Sequence, residues 1–368
     1  MATRLGLVWR VNLGGAVDGS PAVSGGLVIA GSQAGRLAAY DLVTGSPIWA
    51  VDGLGAIAGS PAIVGERVVV GTLTGHVLAF GLKGERLWDW SAPGSMPAIW
   101  SSPAIAGRLV LVGISSQYGD DPLEAGRLVA LDLATGRQVW STCSRFACAP
   151  GGGIWSTPAI DSSGRGFVGV GNPVDGVLAF DVSTGRQLWE TSFHADAGRD
   201  LDVGATPVLL EVDRSERLVV GSVAGICKQL DAGTGRAAWS QDLVDGSAVH
   251  GLIASPAYDG RQLYLASASP PTGVFALAPR DGRVIWRHAT ALPVYSSPAV
   301  GHGAVVFGTG AVFGDVNAGS LVALSSVDGA LLWSYETKSA VRSSPAIVGR
   351  MVLVGDAIGD LLAFKPTQ

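Results

Sequence analysis

Residues 177–189 read VLAFDVSTGRQLW: an apolar run, an Asp, a Thr-Gly turn and, four residues after the glycine, a tryptophan. Similar units recur along the chain, as in LAAYDLVTG at 37–45 and LVALDLATG at 128–136. A tryptophan returns at intervals of about 40 to 50 residues, at Trp9, Trp49, Trp88, Trp140, Trp189, Trp239, Trp286 and Trp333. Self-similarity at this period indicates a radial repeat fold.

A second signature, (Ser/Thr)-Pro-(Ala/Val), follows most of the tryptophans, with its proline at Pro21, Pro61, Pro103, Pro158, Pro207, Pro256, Pro298 and Pro345. The fourth copy divides into four short runs, STPAI, GRGFVGVG, GVLAFDV and RQLWETSF, bounded by Gly, Pro, Asn, Asp or Ser. Such runs are typical of β-strands. We therefore predict an all-β, eight-bladed β-propeller with four antiparallel strands per blade, in which each tryptophan packs between adjacent sheets.

The two ends of the chain complement each other. The last copy contains SPAI, RMVLVG and DLLAFKP but stops without a tryptophan strand, whereas the N-terminus supplies one, LGLVWRVNL, around Trp9. Pairing of these ends closes the last blade and leaves no open sheet edge. Because the repeat runs from end to end, residues 1–368 are predicted to form a single domain.

The composition excludes some functions and leaves the compartment open. The net charge is −5 with no run of Lys or Arg, so we expect no nucleic-acid partner. No apolar stretch reaches spanning length, so no transmembrane segment is expected. The start, MATRLGLVWR, lacks a leader pattern. We expect either a periplasmic or extracellular mature form without its leader, or a cytoplasmic protein. Cys143 and Cys148 are close enough in sequence to pair, and a disulfide would favour the former.

In a meander, the connections between blades and the loops between the second and third strands share one face. We expect the site there, because loops on a rigid scaffold commonly carry function. The residues two positions before each Ser/Thr signature should line the funnel mouth: Asp18, Ala58, Trp100, Trp155, Gly204, Ile253, Tyr295 and Arg342. Such a wall suits a flat, anionic, aromatic ligand, with Arg342 pairing its carboxylates. The alternative is that these side chains plug the channel.

The repeat AxDxxTGxxxW resembles the tryptophan-docking motif of quinoprotein alcohol dehydrogenases, eight-bladed propellers that use pyrroloquinoline quinone (PQQ). The stretch GGGIWSTPAIDSSGRGFVGVGNP at 151–173 is similar to the family segment that stacks a Trp under the quinone and ligates calcium with an Asn. The resemblance gives these roles to Trp155 and Asn172. RDLDVGATPVLL at 199–210 is similar to the catalytic-aspartate segment of the polyvinyl-alcohol-dehydrogenase-like branch, which implies Asp200 as the catalytic residue, with Asp202 as the other candidate.

Three positions depart from the family pattern, one of them Arg199, where a tryptophan often precedes the catalytic Asp. Where the family usually has a Glu calcium ligand in the third blade, this chain has Gln117 and Tyr118, and Asp120, Asp121 or Glu124 would have to fold back to replace it. Val223 stands near the position of a basic residue that contacts the quinone. The metal ligands implied by the resemblance are thus Asn172, Asp200 and Glu124.

Three functions follow from these residues. The first is a PQQ- and Ca²⁺-dependent alcohol dehydrogenase, with Trp155, Trp100, Tyr295 and Arg342 around the cofactor and a small-molecule alcohol as substrate. The second is a non-catalytic scaffold that binds a protein partner. The third is a propeller enzyme that has lost PQQ and uses the funnel for other chemistry on an aromatic or carboxylated ligand.

Overall fold

The computed structural model describes residues 4–194, 200–312 and 316–367. Within these ranges, 32 strands form eight four-stranded antiparallel sheets. The predicted eight-bladed propeller is confirmed.

Each of the first seven blades is built from four consecutive strands, numbered from the axis outward. Blades 1 to 4 contain β2 Ala22–Ser24, β3 Leu27–Gly31, β4 Leu37–Asp41, β5 Pro47–Val51; β6 Ala62–Val64, β7 Arg67–Gly71, β8 His76–Gly81, β9 Arg86–Ser91; β10 Ala104–Ala106, β11 Leu109–Ile114, β12 Arg127–Asp132, β13 Gln138–Cys143; β14 Ala159–Ile160, β15 Arg165–Val170, β16 Gly176–Asp181 and β17 Gln187–Ser192.

The remaining blades repeat this order, except that the eighth takes its outermost strand from the N-terminus. They contain β18 Val208–Val212, β19 Ser215–Gly221, β20 Ile226–Asp231, β21 Ala237–Asp242; β22 Ala257–Tyr258, β23 Leu263–Ser267, β24 Gly273–Leu277, β25 Val284–Ala289; β26 Ala299–Gly301, β27 Ala304–Gly310, β28 Gly319–Ser325, β29 Leu331–Thr337; and β30 Ala346–Val348, β31 Met351–Gly355, β32 Asp360–Pro366 with β1 Leu5–Asn12.

Closure of the last blade follows the prediction. Strand β1 pairs antiparallel with β32, from Leu5 opposite Pro366 to Asn12 opposite Asp360. The Asn12 side-chain amide donates to Asp360 Oδ1 at 2.8 Å. The pairing covers an edge of β32 that would otherwise present unpaired backbone groups.

The Thr-Gly turn and the tryptophan act between blades rather than within one. The glycine of each turn has φ near +70 to +87°, and a Cβ there would lie 2.4–2.9 Å from the tryptophan ring of the preceding blade, as at Gly185 against Trp140. The indole Nε1–H then donates to a carbonyl just ahead of the turn, as Trp140 does to Val182 O at 3.1 Å. Glycine is required at this position both for its backbone angle and for the close approach of the ring.

The Ser/Thr-Pro signature forms a ring of hydrogen bonds near the axis. The backbone N–H of each signature Ser or Thr donates to the hydroxyl of its counterpart in the next blade, at 2.8–3.1 Å, from Ser20 through to Ser344. Ser343 Oγ continues the circle by donating to Gly19 O at 3.1 Å. The hydroxyl is thus needed in addition to the small size expected from the sequence.

Cys143 and Cys148 form a disulfide with a Cα–Cα distance of 5.2 Å, and a 3₁₀-helix, Phe146–Cys148, lies inside its loop. In the described ranges, no helix is long and apolar enough to cross a membrane.

Candidate functional site

The residues singled out from the sequence in blades 4 and 5 come from three different segments. Trp155 lies between β13 and β14, Asn172 in the turn between β15 and β16, and Asp202 between β17 and β18. Hydrogen bonds join the three residues, so these segments meet in one place. The predicted convergence of Trp155 and Asn172 with the Asp200 segment is thereby observed.

Asp202 is the centre of this cluster. Its Oδ2 accepts the Trp155 indole Nε1–H at 2.7 Å, and its Oδ1 accepts the backbone N–H of Asn172 at 2.8 Å. Its own carbonyl accepts the N–H of Val223 at 3.0 Å. One aspartate therefore links a blade connection, the GNP turn and the adjacent loop of blade 5.

The Trp155 ring occupies the space that a side chain at position 204 would fill. A Cβ on Gly204 would lie 1.8 Å from Cη2 and Cζ2 of the indole. Trp155 is half-buried. The glycine at the funnel-mouth position of blade 5 thus lets the indole of blade 4 extend over its neighbour.

Asp200 lies beside Asp202, and the two carboxyl groups interact electrostatically. Desolvation and the Asp202 carboxylate, with a smaller contribution from Asp120, raise the pKa of Asp200 to about 6. Above that pH Asp200 is ionised and able to accept a proton.

A third carboxyl group, Asp175, lies behind the GNP turn. Its side chain is 1% exposed and its Oδ1 has no hydrogen-bond partner within the described residues. Burial, followed by the charges of Asp202 and Asp200, raises the pKa of Asp175 to about 7. Asp175 is not among the residues predicted from the sequence, although an acidic residue directly before the apolar run GVLAF at 176–180 was a signal that could have identified it.

The chemistry of these groups suits a hard cation in part. Three carboxyl groups lie close enough to affect one another electrostatically, and in the described part of the chain none of them forms an ion pair with Lys, Arg or His. Carboxylate and amide oxygens are the ligands that Ca²⁺ takes in proteins. However, across the described ranges no three His, Cys, Asp or Glu side chains are arranged as a metal-binding group. Asn172 and Asp200 stay predicted ligands.

Glu124 lies with a different set of groups. Its Oε1 accepts the N–H of Ser95 at 2.8 Å, the N–H of Met96 at 2.7 Å and the Ser95 hydroxyl at 2.7 Å. Burial acts to raise the pKa of Glu124, but the hydrogen bonds from Met96 and Ser95 outweigh it, and the net pKa is lowered. The carboxylate thus already connects two loops at blade 3, and its role as a metal ligand stays a prediction.

The other funnel-mouth residues form two separate groups. The Trp100 indole packs edge-on against Tyr118, with ring centroids 4.4 Å apart, and donates to Ser116 O. Arg342 Nε lies 3.2 Å from Asp18 Oδ1, and Gln33 donates to the other oxygen of Asp18. The charge of Arg342 is therefore balanced within the protein. The sequence analysis treats Tyr118 only as one of the residues at the position of the family's Glu ligand, and it does not predict the aromatic contact with Trp100.

Tyr295 stands on a further part of the rim. Its hydroxyl donates to Val249 O at 3.0 Å, and its ring centroid lies 6.5 Å from that of His250. Burial raises the pKa of the Tyr295 phenol. Among the described residues, Tyr295 has no hydrogen bond or ring contact with Trp155 or Asp200. Its part in cofactor binding therefore stays a prediction. Arg199, where the sequence departs from the family tryptophan, lies outside the described residues.

The fit to PQQ rests on the indole. Trp155 is held by Asp202 and is half-buried, and stacking on a flat quinone requires such a fixed ring. Asn172 and Asp200 lie in the same cluster. The cation expected to pair with the quinone carboxylates, Arg342, is bound to Asp18 instead.

Comparison with known proteins gives a family match along nearly the whole chain. The family described as outer membrane protein assembly factor BamB matches residues 6–147, 124–299 and 225–368. A polyvinylalcohol dehydrogenase from Sphingopyxis sp. (strain 113P3) is 29% identical over 220 residues, which is 45% of this chain and 34% of that protein. The chain spans about a third of the length of the curated relatives it matches.

Solved structures agree on the fold. The quinohemoprotein alcohol dehydrogenase from Comamonas testosteroni superposes with a TM-score of 0.84 at 17% identity, over 98% of this chain and 76% of that one. BamB from Moraxella catarrhalis superposes with a TM-score of 0.76 at 19% identity, over 98% and 100% of the two chains. At such identities the likeness establishes the propeller and not its activity.

Proposed function

The chain belongs to the family of PQQ-like eight-bladed propellers, and from that premise we propose that it is a PQQ- and calcium-dependent alcohol dehydrogenase-like protein. The observation that carries this proposal is the cluster of Trp155, Asn172, Asp200 and Asp202 on one face. It combines a half-buried indole, the Asn172 turn and a carboxyl group with a pKa of about 6.

Each residue has a role in this proposal. Trp155 forms the floor on which the quinone stacks, and Asn172 and Asp200 supply oxygen ligands to Ca²⁺. When bound, PQQ supplies a hydride acceptor and Ca²⁺ a Lewis acid. Asp200 accepts the hydroxyl proton of the alcohol, whose carbinol carbon gives up a hydride and becomes a carbonyl. Trp100, Tyr295 and Arg342 line the mouth through which the alcohol enters.

Reconstitution tests the proposal. Purified protein is incubated with PQQ and Ca²⁺, and reduction of an artificial dye is followed with primary and secondary alcohols. We expect alcohol-dependent dye reduction that is lost in Asp200→Asn even at saturating PQQ and Ca²⁺. Absence of any PQQ binding by absorbance or calorimetry would overturn the proposal.

A scaffold function is the second candidate. The matching family carries the description of an assembly factor, and Phe146, inside the loop closed by the disulfide, is 97% exposed. An exposed aromatic residue on a constrained loop suits contact with a protein partner. Capture of one stable partner by wild type but not by Phe146→Ser would favour this function, and equal capture by both would remove Phe146 from it.

We also propose that the protein works in the periplasm or outside the cell. The Cys143–Cys148 disulfide supports this location, because disulfides persist in oxidising compartments. Thiol labelling of unfolded protein taken directly from the cell should modify Cys227 and leave the other two cysteines unlabelled. Labelling of all three would instead favour the cytoplasm.

A further inference from the structure

We propose that Asp202 is a positioning residue, which fixes the Trp155 indole and the GNP turn in their places and leaves Asp200 as the only proton acceptor. The inference rests on the proposed function for the role of Asp200, whereas the positioning itself is a property of the protein without cofactor. It separates Asp200, the catalytic residue implied by the resemblance, from Asp202, the other candidate.

The first step concerns the indole. Trp155 has a single polar atom, Nε1, and its hydrogen is donated to Asp202 Oδ2 at 2.7 Å. With Gly204 under the ring, this bond fixes the remaining freedom of the side chain within the funnel. A hydrogen bond to a charged group is stronger than one between neutral groups, so Asp202 determines where the floor of the site lies.

The second step concerns the GNP turn. Asp202 Oδ1 accepts the Asn172 backbone N–H at 2.8 Å, and a Cβ at Gly171 would lie 2.7–2.9 Å from the Asp202 carboxyl group. Glycine at position 171 therefore leaves the room that the carboxylate needs. The same carboxylate thus sets the position of the residue that is proposed to ligate the cation.

The third step separates the two aspartates. Both oxygens of Asp202 accept N–H groups of the protein, and the Asp202 carbonyl is held by Val223. Within the described residues, the Asp200 carboxyl group accepts no hydrogen bond from an N–H group, and the residue is exposed. Proton transfer from an alcohol to Asp202 would compete with the donors that hold the site together, whereas Asp200 has no such function.

The experiment measures the indole N–H directly, in protein labelled with ¹⁵N-tryptophan and without cofactor. The Trp155 signal is identified by its absence in Trp155→Phe. In Asp202→Ala we expect this signal to shift upfield and its hydrogen exchange to accelerate roughly tenfold or more, the equivalent of losing a bond to a charged acceptor. Asp202→Asn, which keeps one acceptor oxygen, should give a smaller change. Asp181→Asn, whose carboxylate accepts from Ser183 and Thr184 in the β16–β17 turn, is the matched control and should leave both the shift and the exchange rate unchanged.

A second measurement uses PQQ and Ca²⁺. We expect Asp202→Asn to weaken PQQ binding while keeping measurable turnover at saturation, and Asp200→Asn to lose turnover even at saturating PQQ and Ca²⁺. An unchanged Trp155 signal in both Asp202 variants, or lost turnover with full PQQ affinity in Asp202→Asn, would overturn the inference. If wild type binds no PQQ, the proposed function fails, while the indole signal still decides whether Asp202 holds Trp155. If Asp202→Ala does not fold, Asp202→Asn alone decides.

Discussion

At the scale of single residues, the site depends on a side chain that is missing. Gly204 occupies a funnel-mouth position where other blades carry Trp, Tyr, Arg or Asp, and the Trp155 ring fills the vacated space. Gly204 has no proposed role in binding a ligand, yet the space above it determines where the Trp155 ring lies. Sequence comparison between blades noted the glycine but gave no reason for it.

Gly204→Ala should displace the indole, because the added Cβ would lie 1.8 Å from ring atoms. We expect the free energy of unfolding to fall by about 1–3 kcal/mol, as for other overpacked sites, and the Trp155 fluorescence to change. Gly301→Ala is the matched control, since its Cβ would make an ordinary contact 3.5 Å from Ile347. Equal urea midpoints for the two variants would contradict this account.

Asp175 makes stability depend on pH. Its pKa of about 7 lies above the ordinary value, so the folded state favours the neutral acid. That stabilisation is complete below about pH 4 and is lost as the pH rises through 7. Asp175→Asn should therefore raise the stability at pH 8 by roughly 1–2 kcal/mol, allowing for screening, and asparagine tolerates the φ of +44° at this position.

The control for that experiment is Asp181→Asn, for which we expect the stability at pH 8 to fall rather than rise. Hydrogen bonds from Ser183 and Thr184 lower the pKa of Asp181, so its ionised form stabilises the turn. Asp181→Asn should lower the melting temperature at pH 8. Thermal unfolding at pH 5 and pH 8 checks both variants, and an unchanged pH profile in Asp175→Asn would count against the assignment.

At the scale of the element, the repeated unit works as a contact between blades. The glycine of one Thr-Gly turn receives the tryptophan of the preceding blade, and the indole N–H reaches the backbone near the same turn. Trp333 faces the eighth blade, which has no such turn, and packs instead against Tyr335 and Phe364. Among the described residues, the Trp333 contact thus lacks both the glycine turn and the indole hydrogen bond found at the other tryptophans.

This difference allows a test within one molecule. Trp189 Nε1 donates to Ala232 O at 3.1 Å, whereas the Trp333 indole donates no hydrogen bond among the described residues. Trp189→Phe should cost about 1 kcal/mol more than Trp333→Phe, since both variants lose similar apolar area. Urea unfolding measures the two costs, and a larger cost at Trp333 would contradict the docking role of the N–H.

The elements were predictable because short apolar runs recur in every blade, and a glycine turn with a tryptophan four residues later marks the first seven. The inner ring of hydrogen bonds from Ser20 to Ser344 was not predicted. Its bonds join residues about 40 to 50 positions apart, and sequence showed only that those residues are small. The recurrence of Ser or Thr in the signature could be seen in the sequence, but the group that donates to its hydroxyl could not.

At the scale of the whole molecule, the propeller is closed at two radii. Near the axis the Ser/Thr bonds pass from blade to blade, and at the rim β1 pairs with β32. Removal of residues up to Asn12 should expose the edge of β32 and the hydrophobic core around Leu13 and Leu361. We expect a lower melting temperature and concentration-dependent association, measured by calorimetry and gel filtration. A truncated chain that stays monomeric with unchanged melting would contradict the closure argument.

The candidate site was predictable only in part. Trp155, Asn172 and Asp200 were placed on one face because the meander fixes which loops share it, and the hydrogen bonds through Asp202 agree. The pairing of Arg342 with Asp18 and the engagement of Glu124 by Ser95 were not visible. Those contacts join residues far apart in the chain, where spacing carries no information about the partner of a charge.

The most direct test of the central claim is titration calorimetry of PQQ in the presence of Ca²⁺, for wild type, Trp155→Ala and Trp189→Phe. The account predicts one binding site in wild type, the same affinity in Trp189→Phe, and affinity weakened about tenfold or more in Trp155→Ala through loss of ring stacking. Absence of binding in wild type, or equal affinity in Trp155→Ala, would contradict it.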